Sequence, residues 1–288
     1  MKGMTARILT FGNEKGGAGK STVAMHVAVQ LLHQGLRVAF IDLDLRQRTL
    51  ARFFSNRLTW ARAHGVDIPH AAEPFLADKP ASLLNLPEAE AKKIFDRALD
   101  ETVQTADFVI IDTPGGDHVL SRRAHAAAHV IVTPMNDSFI DFDLLGEVDP
   151  VTLDVKRPSI YAETVWNSRK QRVRWDGRSI DWIVLRNRLA ATEARNRKRV
   201  DERVMALGKR VGFRVLAGLR DRVIYRELFP FGLTVQDLST EVRPVAVSLA
   251  HVSARQELRA LMLSLGLEVA EDKAAVVLAE PVLVKAGS

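Results

Sequence analysis

Two lysines five residues apart, and three aspartates at the ends of apolar runs, are the residues of this chain best suited to chemistry. Lys15 and Lys20 bracket the glycines within the stretch 12–22, Gly-Asn-Glu-Lys-Gly-Gly-Ala-Gly-Lys-Ser-Thr. Gly16, Gly17 and Gly19 let the backbone curl so that its N–H groups face one anion, and the helix that follows adds a partial positive charge. Lys20 can reach the β- and γ-phosphates of a nucleotide, and the Ser21 hydroxyl can ligate Mg²⁺. Gly16, Gly17, Ala18, Gly19, Lys20, Ser21 and Thr22 therefore form the expected nucleotide-binding set, with ATP and Mg²⁺ as ligands. A glycine-rich turn with a lysine nearby is the bland alternative. It is disfavoured because an apolar run, 8–11, precedes the loop and an apolar-periodic stretch, 23–32, follows it.

The carboxylates come next. Asp42 and Asp44 follow the run 37–41, and Asp112 closes Asp107-Phe108-Val109-Ile110-Ile111. Ligands of parallel α/β sheets sit beyond the carboxyl ends of the strands, so fold logic gathers all three near Lys20 and Ser21. Asp112 is the candidate to hold Mg²⁺, directly or through water; Asp42 is a candidate for the metal shell. Asp44 is the better candidate to orient or deprotonate the attacking water. Thr113-Pro114-Gly115-Gly116 provides a turn whose N–H groups could sense a γ-phosphate. A single strand-end aspartate often only caps the next helix. Three of them beside a phosphate loop favour the nucleotide reading.

To position these residues the chain needs strands alternating with helices. Further apolar runs at 130–134 and 181–185, and a shorter one at 213–216, extend the pattern. The expected fold is α/β, a P-loop NTPase with a mostly parallel twisted sheet and helices on both faces. Helices are expected over 49–63, 88–103, 192–211 and 253–265. Residues 65–87, with Pro69, Pro74, Pro80 and Pro87, read as a long surface connection with room for one short helix. Residues 169–178 read as a basic interaction loop or an exposed basic turn. Residues 1–267 are expected to form one domain and 268–288 a flexible tail.

Composition narrows the classes. The hydrophobic fraction of 47% suffices for a sizeable core, and the absence of Cys rules out disulfides, thiolate metal sites and Cys-ligated clusters. The start of the chain has no apolar signal core, and no 18-residue apolar run occurs, so a soluble, cytoplasmic protein is expected. The tail has few cations and carries Pro281, which argues against a direct membrane anchor. His125 and His129 share a helical spacing without the Glu of a metalloprotease motif. Trp60, Trp166, Trp175 and Trp182 read as packing residues. A pI of about 9.7 and a net charge of +6 invite an anionic partner. Residues 186–226 hold thirteen Arg or Lys against four Asp or Glu, a larger excess than that of the whole chain. On the helix there, Val200, Val204, Leu207 and Val211 share a face and the cations point largely away. Such a stripe can follow a phosphate backbone without reading bases, or it can be a solvated face paired to Asp201 and Glu202.

The phosphate loop departs from the common G-x-x-x-x-G-K-[ST] pattern, because Glu14 stands where the first glycine would fall and Lys15 precedes the glycines. In this it resembles the deviant Walker A ATPases, the ParA/MinD family. Asp42-Leu43-Asp44 is similar to their switch I and Asp112-Thr113-Pro114-Gly115 to their switch II. Asn187-Arg188 sits where the family recognises adenine; a plain turn residue is the competing reading of Asn187. Runs at 42–49, 133–139, 192–199 and 219–230 resemble the MipZ branch, ATPases that position the division site, and the likeness covers about residues 5–267. The resemblance implies a homodimer closed over two ATP molecules, with Lys15 reaching the partner's phosphates and Gly16 where the loops meet. It makes Lys15, Lys20 and Asp44 the catalytic set. It also implies non-specific DNA binding by the ATP dimer, with Arg195, Lys198, Arg199 and Arg203 as candidates and Arg220 and Arg222 behind them. Contacts with ParB and with FtsZ follow from it, and so does a cytoplasmic location at the nucleoid and poles. A ParA-type partitioning ATPase, for DNA or protein clusters, shares all of this nucleotide chemistry and remains the alternative. A metabolic ligase or kinase on the same fold is a third reading that no residue favours.

Overall fold

The computed structural model describes residues 6–73, 86–136, 144–148, 155–187, 194–239, 241–242, 244–246 and 248–267; the side chains of 147, 148, 155, 194–201 and 203 are not among those described. The strands are β1 (Arg7–Phe11), β2 (Val38–Asp42), β3 (Phe108–Asp112), β4 (Val130–Asn136), β5 (Gly146–Val148), β6 (Val155–Pro158), β7 (Asp181–Asn187) and β8 (Arg214–Ala217). The helices are α1 (Lys20–His33), α2 (Thr49–His64), α3 (Glu88–Thr105), α4 (Val119–Ala127), α5 (Ile160–Asp176), α6 (Ala194–Val211), α7 (Ile224–Glu227) and α8 (Leu249–Ser264). Six strands form a parallel sheet in the order β2-β3-β1-β4-β7-β8, as the apolar runs predict.

Alternating strand residues feed opposite layers. Leu9, Phe11, Phe40, Ile110, Val132 and Leu185 pack under α1, α2 and α8. Ile8, Ile41, Val109 and Ile111 pack under α3 and α4, and Ile131, Trp182 and Val184 under α5 and α6. With both faces covered, central strands are mostly apolar: β1 is so except at Arg7 and Thr10, and β3 is so up to its terminal Asp112.

Register is what builds the site. Phe11 pairs with Asp112, and Asp112 with Asp42, so the ends of β1, β3 and β2 lie in one row. The phosphate loop leaves β1 from the end of that row. Asn187 ends β7 opposite Asn136 of β4, on the other flank of the loop.

Several expectations change. The stretch 169–178 is not a loop, because α5 runs through Asp176. Tyr161, Val165, Ser168 and Arg172 fall on its buried side at three- and four-residue spacing. The polar composition of the stretch hid that stripe. Ser159 caps the helix by accepting from the Ala162 N–H at 3.0 Å, and Gly177, at φ +75°, ends it. The connection after α2 partly joins the sheet: the Phe40 N–H donates to the Ala72 carbonyl and the Ala72 N–H to Val38, at 2.9 and 3.0 Å. This shields the free edge of β2. The short helix expected within 65–87 and the tail 268–288 lie largely or wholly outside the described residues. Strands β5 and β6 form a small antiparallel pair that the sequence did not announce. Helix α8 begins four residues earlier than expected, where the Ser248 N–H donates to His251 Nδ1 at 3.0 Å. Trp182 and Trp60 are buried as packing residues should be, but Trp166 and Trp175 are 53% and 66% exposed.

Candidate functional site

The loop between β1 and α1 is held at both shoulders. Asn13 donates from Nδ2 to the Pro134 carbonyl at 2.6 Å and accepts the Lys15 N–H on Oδ1 at 2.8 Å. Gly12 lies against His125, where a Cβ would come within 2.3 Å of Nε2. The Tyr161 hydroxyl donates to the Gly12 carbonyl at 2.8 Å and lies 2.9 Å from Thr133 Oγ1, which also receives the Trp182 indole N–H at 3.0 Å. His125 Nε2 is 3.2 Å from the same hydroxyl. Burial pulls His125 down to about 4, so its ring is neutral. Nδ1 donates to the Ser121 carbonyl, and Nε2 is left as an acceptor. Sequence reasoning missed this network. Asn13, Thr133 and Tyr161 carry no spacing signal, and the histidine stood out only through its pairing with His129.

The curl itself needs glycine at two points. Gly17 and Gly19 have φ of +76° and +88°, and a Cβ on Gly19 would stand 2.2 Å from Asn187 Nδ2. Gly16 is different: it is exposed, its φ is ordinary, and a Cβ there would meet nothing within 4 Å. Ala18 is buried, and its carbonyl accepts from Asn187 Nδ2 at 3.0 Å. Asn187 thus clamps the loop from the end of β7 and keeps a buried Oδ1 with no partner. Its expected neighbour Arg188 lies outside the described residues. The Thr22 carbonyl, one turn into α1, accepts from His26 at 2.7 Å.

Lys20 is buried and donates from Nζ to the Lys15 carbonyl at 3.1 Å, bending back over the loop. Burial lowers its pKa, and the charges of Asp112 and Asp44 oppose that. Ser21 Oγ donates to Asp112 Oδ2 at 2.5 Å. Asp112 is fully buried. Desolvation raises it well above the usual carboxylate range, Asp42 pushes it further, and Ser21 and Lys20 pull it back. Its Oδ1 is buried without a hydrogen bond. Leaving such an oxygen unpaired costs about 1–3 kcal/mol. An orphaned carboxylate oxygen beside a serine hydroxyl is a donor set that suits Mg²⁺.

Asp42 and Asp44, at the neighbouring strand end, each accept backbone N–H groups of their own. Asp42 accepts the Asp44 N–H on Oδ1 and the Ala51 N–H on Oδ2, both at 3.0 Å. It therefore caps α2 as well as facing the site, and burial lifts it to about 6. Asp44 is partly exposed and accepts the Gln47 N–H at 3.1 Å. The turn it opens contains Arg48 at φ +47°, a left-handed backbone that a non-glycine residue adopts only under constraint. Thr113 donates from its N–H and Oγ1 to the Phe11 carbonyl at 3.1 and 3.0 Å, fixing the root of the turn after β3. Gly115, beyond Pro114, is pressed onto the loop: a Cβ would lie 3.3 Å from the Glu14 carbonyl and 3.3 Å from the Gly16 nitrogen.

The basic candidates are only partly described. The side chains of Arg195, Lys198, Arg199 and Arg203 lie outside the described set, on a helix that buries Val204 and Leu207. Arg220 and Arg222 both turn to Glu257 of α8, Arg222 donating from Nε at 3.1 Å and Arg220 pairing at 3.5 Å. Arg222 therefore docks α8 and is 23% exposed, whereas Arg220 is 60% exposed.

A parallel sheet in this order, a glycine loop from its central strand with a buried lysine, and a serine–aspartate pair beside it define a P-loop nucleotide-binding protein. Lys15 ahead of the glycines places it in the deviant Walker A class. The family model of the ATPase MipZ matches residues 7–269, and the chain belongs to that family of ATPases, within the wider ParA/MinD group. The septum site-determining protein MinD of Helicobacter pylori is 29% identical over 164 residues, covering 50% of this chain and 59% of that one. The chain spans little more than half the length of the curated relatives it matches first. Among solved structures, an ATP complex of Cyanothece McdA superposes with a TM-score of 0.60 at 16% identity, over 94% of this chain and all of the other. MinD of Pyrococcus horikoshii with Mg-ADP gives 0.55 at 16%, over 96% of this chain and all of the other. Both share the fold. Among the described residues no helix is long and apolar enough to cross a membrane.

Proposed function

We propose that this chain is an ATP-hydrolysing switch whose ATP form is a homodimer, and that it positions the division site by inhibiting FtsZ assembly. ParB and non-specific DNA are its other partners, and they would hold it at the nucleoid and poles. The observation that carries the dimer is the apex of the phosphate loop. Gly16 is exposed with open space where a side chain would go, while Gly115 of the turn after β3 rests on the same residue.

In this reading the N–H groups of 16–22 and the Lys20 ammonium bind the phosphates. Ser21 and Asp112 would hold Mg²⁺, which when bound neutralises charge on the phosphoryl group being transferred. Asp42 fixes the start of α2, so that Asp44 stands where it can orient the attacking water and take its proton. Lys15 adds a cation from the partner's side, which ties turnover to dimerisation as an arginine finger does. Asn187, with Arg188 beside it, closes the adenine side; the unpaired Oδ1 supports that assignment. Asp112-Thr113-Pro114-Gly115 would report nucleotide state to the loop through the Gly115–Gly16 contact. Arg195, Lys198, Arg199 and Arg203, with Arg220 and Arg222 behind them, would give the dimer its hold on DNA.

Size-exclusion chromatography with and without a non-hydrolysable ATP analogue tests this on wild type, Lys15→Ala and Asp44→Ala. The expected result is a nucleotide-dependent dimer that persists in Asp44→Ala, with turnover lost in both variants. Dimerisation and turnover that both survive Lys15→Ala would overturn it. An ATP-dependent effect on FtsZ polymerisation separates this role from cargo partitioning.

A further inference from the structure

The outward sides of α4 and α5 enclose a cleft of about 410 Å³. Arg122 lines it from α4, and Thr164, Asn167, Lys170, Gln171 and Arg174 line it from α5. Thr164 already donates to the Ile160 carbonyl at 3.0 Å, but the other five side chains can donate to a ligand, three carry a positive charge, and no carboxylate among the described residues lines the space. Of the acids nearby, only Asp117 offsets a lining cation, Arg122, which leaves Lys170 and Arg174 as the uncompensated charges among the described residues. Asp176 pairs with Arg172, which turns inward to the Ala127 carbonyl at 2.6 Å. Glu163 lies on the other flank of α5, near Trp166. Asp117 holds Arg122 from outside the cleft. Lys170 rests its ammonium 5.7 Å from the Trp166 ring centre, and Arg174 makes no hydrogen bond or ion pair among the described residues.

Pockets for ordinary small molecules are mostly apolar with a few polar groups. This one is the reverse, and its donors call for an anion with many acceptor oxygens. A single carboxylate would leave most of them unused. Guanidinium forks and a flexible ammonium match phosphate oxygens. We propose that the cleft is a second anion site, separate from the phosphate loop, taking a small ligand with two or more phosphate groups. Its place in the fold gives it a consequence. The inner sides of the same two helices carry His125 and Tyr161, which meet at the Tyr161 hydroxyl that donates to the Gly12 carbonyl. A ligand that bridges Arg122 to Lys170 and Arg174 ties α4 to α5 and stiffens the support of the phosphate loop.

The binding claim does not depend on the division-site reading. Its test is calorimetric titration of sodium tripolyphosphate into the full chain saturated with Mg²⁺ and a non-hydrolysable ATP analogue. Wild type is expected to bind, and so is Lys20→Ala, whose damaged loop removes the other phosphate site as a source of heat. Lys170→Gln/Arg174→Gln and, from the opposite helix, Arg122→Gln should each weaken binding roughly tenfold or more, the loss of one or two charge-assisted bonds. Thermal midpoints within experimental error of wild type show that these exposed changes leave the fold intact. No heat with wild type overturns the proposal, as does binding that the variants leave unchanged or that Lys20→Ala abolishes. Duplex DNA is the second titrant. If the variants lose DNA affinity while tripolyphosphate never binds, the cleft belongs to a nucleic-acid surface and the small-ligand assignment fails.

Discussion

Gly16 and Gly19 sit three residues apart in one loop, yet the structure assigns opposite consequences to giving each a side chain. Gly16 has an ordinary φ, is exposed, and offers a Cβ open space to 4 Å. Gly16→Val should therefore leave the monomer within about 0.5 kcal/mol of wild type, as exposed substitutions do. Gly19 has φ +88°, and its Cβ would stand 2.2 Å from Asn187 Nδ2. A left-handed non-glycine residue costs about 1–2 kcal/mol. Displacing Asn187 also breaks its 3.0 Å bond to the Ala18 carbonyl, worth about 0.5–1.5 kcal/mol. Gly19→Ala should lose about 1.5–3.5 kcal/mol in all, and at about 2–4 °C per kcal/mol its melting temperature should fall by about 3–14 °C. The assay is melting without nucleotide, followed by size exclusion with a non-hydrolysable ATP analogue. Gly16→Val should melt like wild type and stay monomeric with the analogue, because only a partner's surface meets the new side chain. If it melts as low as Gly19→Ala, or dimerises fully, the reasoning about the open apex is refuted.

Four further outcomes are expected. Asp112 and Asp42 have folded pKa values raised by burial, Asp42 from 3.8 to about 6. The native state therefore holds protons that the unfolded chain has released, and these groups' contribution is full at low pH and is lost as pH rises through the raised values. Asp112→Asn should accordingly raise the melting temperature of the nucleotide-free protein at about pH 7.5 while removing Mg²⁺-dependent nucleotide affinity; a lower melting temperature would contradict the first half. Asp237 and Arg57 are both wholly buried and joined at 2.6 and 2.9 Å. Burial alone would raise Asp237, but Arg57 and His33 reverse that and hold it below the usual range. Asp237→Asn leaves Arg57 uncompensated and should cost about 3–5 kcal/mol in urea unfolding, whereas a loss below about 1 kcal/mol would mean that the pair is solvated. Tyr161→Phe orphans the Gly12 carbonyl and leaves Thr133 only its bond from Trp182, so stability should fall by about 1–3 kcal/mol and affinity for the ATP analogue with it; unchanged affinity would show that the loop stands without this support. Arg195→Glu/Arg199→Glu should abolish a steeply salt-dependent, ATP-requiring affinity for duplex DNA, and binding that survives it places the DNA surface elsewhere.

Much of this was legible because period and spacing are local properties. Runs of apolar residues in β1, β3 and β4 read directly as buried parallel strands, and the glycine–lysine–serine order announces a phosphate loop whatever surrounds it. The basic stretch 169–178 was misjudged for the complementary reason. Its one buried side chain is Arg172, a charged residue whose burial depends on the Ala127 carbonyl at the end of α4 and on its pairing with Asp176, which no local pattern encodes. Ala72 joins the sheet because β2 is left as an open edge, a fact about strand order rather than about residue 72.

The same division runs through the site. Residue type alone determines that Lys20, Ser21 and Asp112 can hold a phosphate and a metal, since charge and donor chemistry travel with the side chain. What each aspartate does was decided by register and packing. Asp42, Asp112 and Phe11 end level, yet Asp42 gives one oxygen to the Asp44 N–H and the other to α2, while Asp112 keeps one unpaired beside Ser21. The support of the loop by Asn13, His125, Thr133, Tyr161 and Trp182 was also decided in three dimensions. Those residues lie up to 169 positions apart along the chain, and only closure of the sheet under α4 and α5 brings their polar atoms within hydrogen-bond reach.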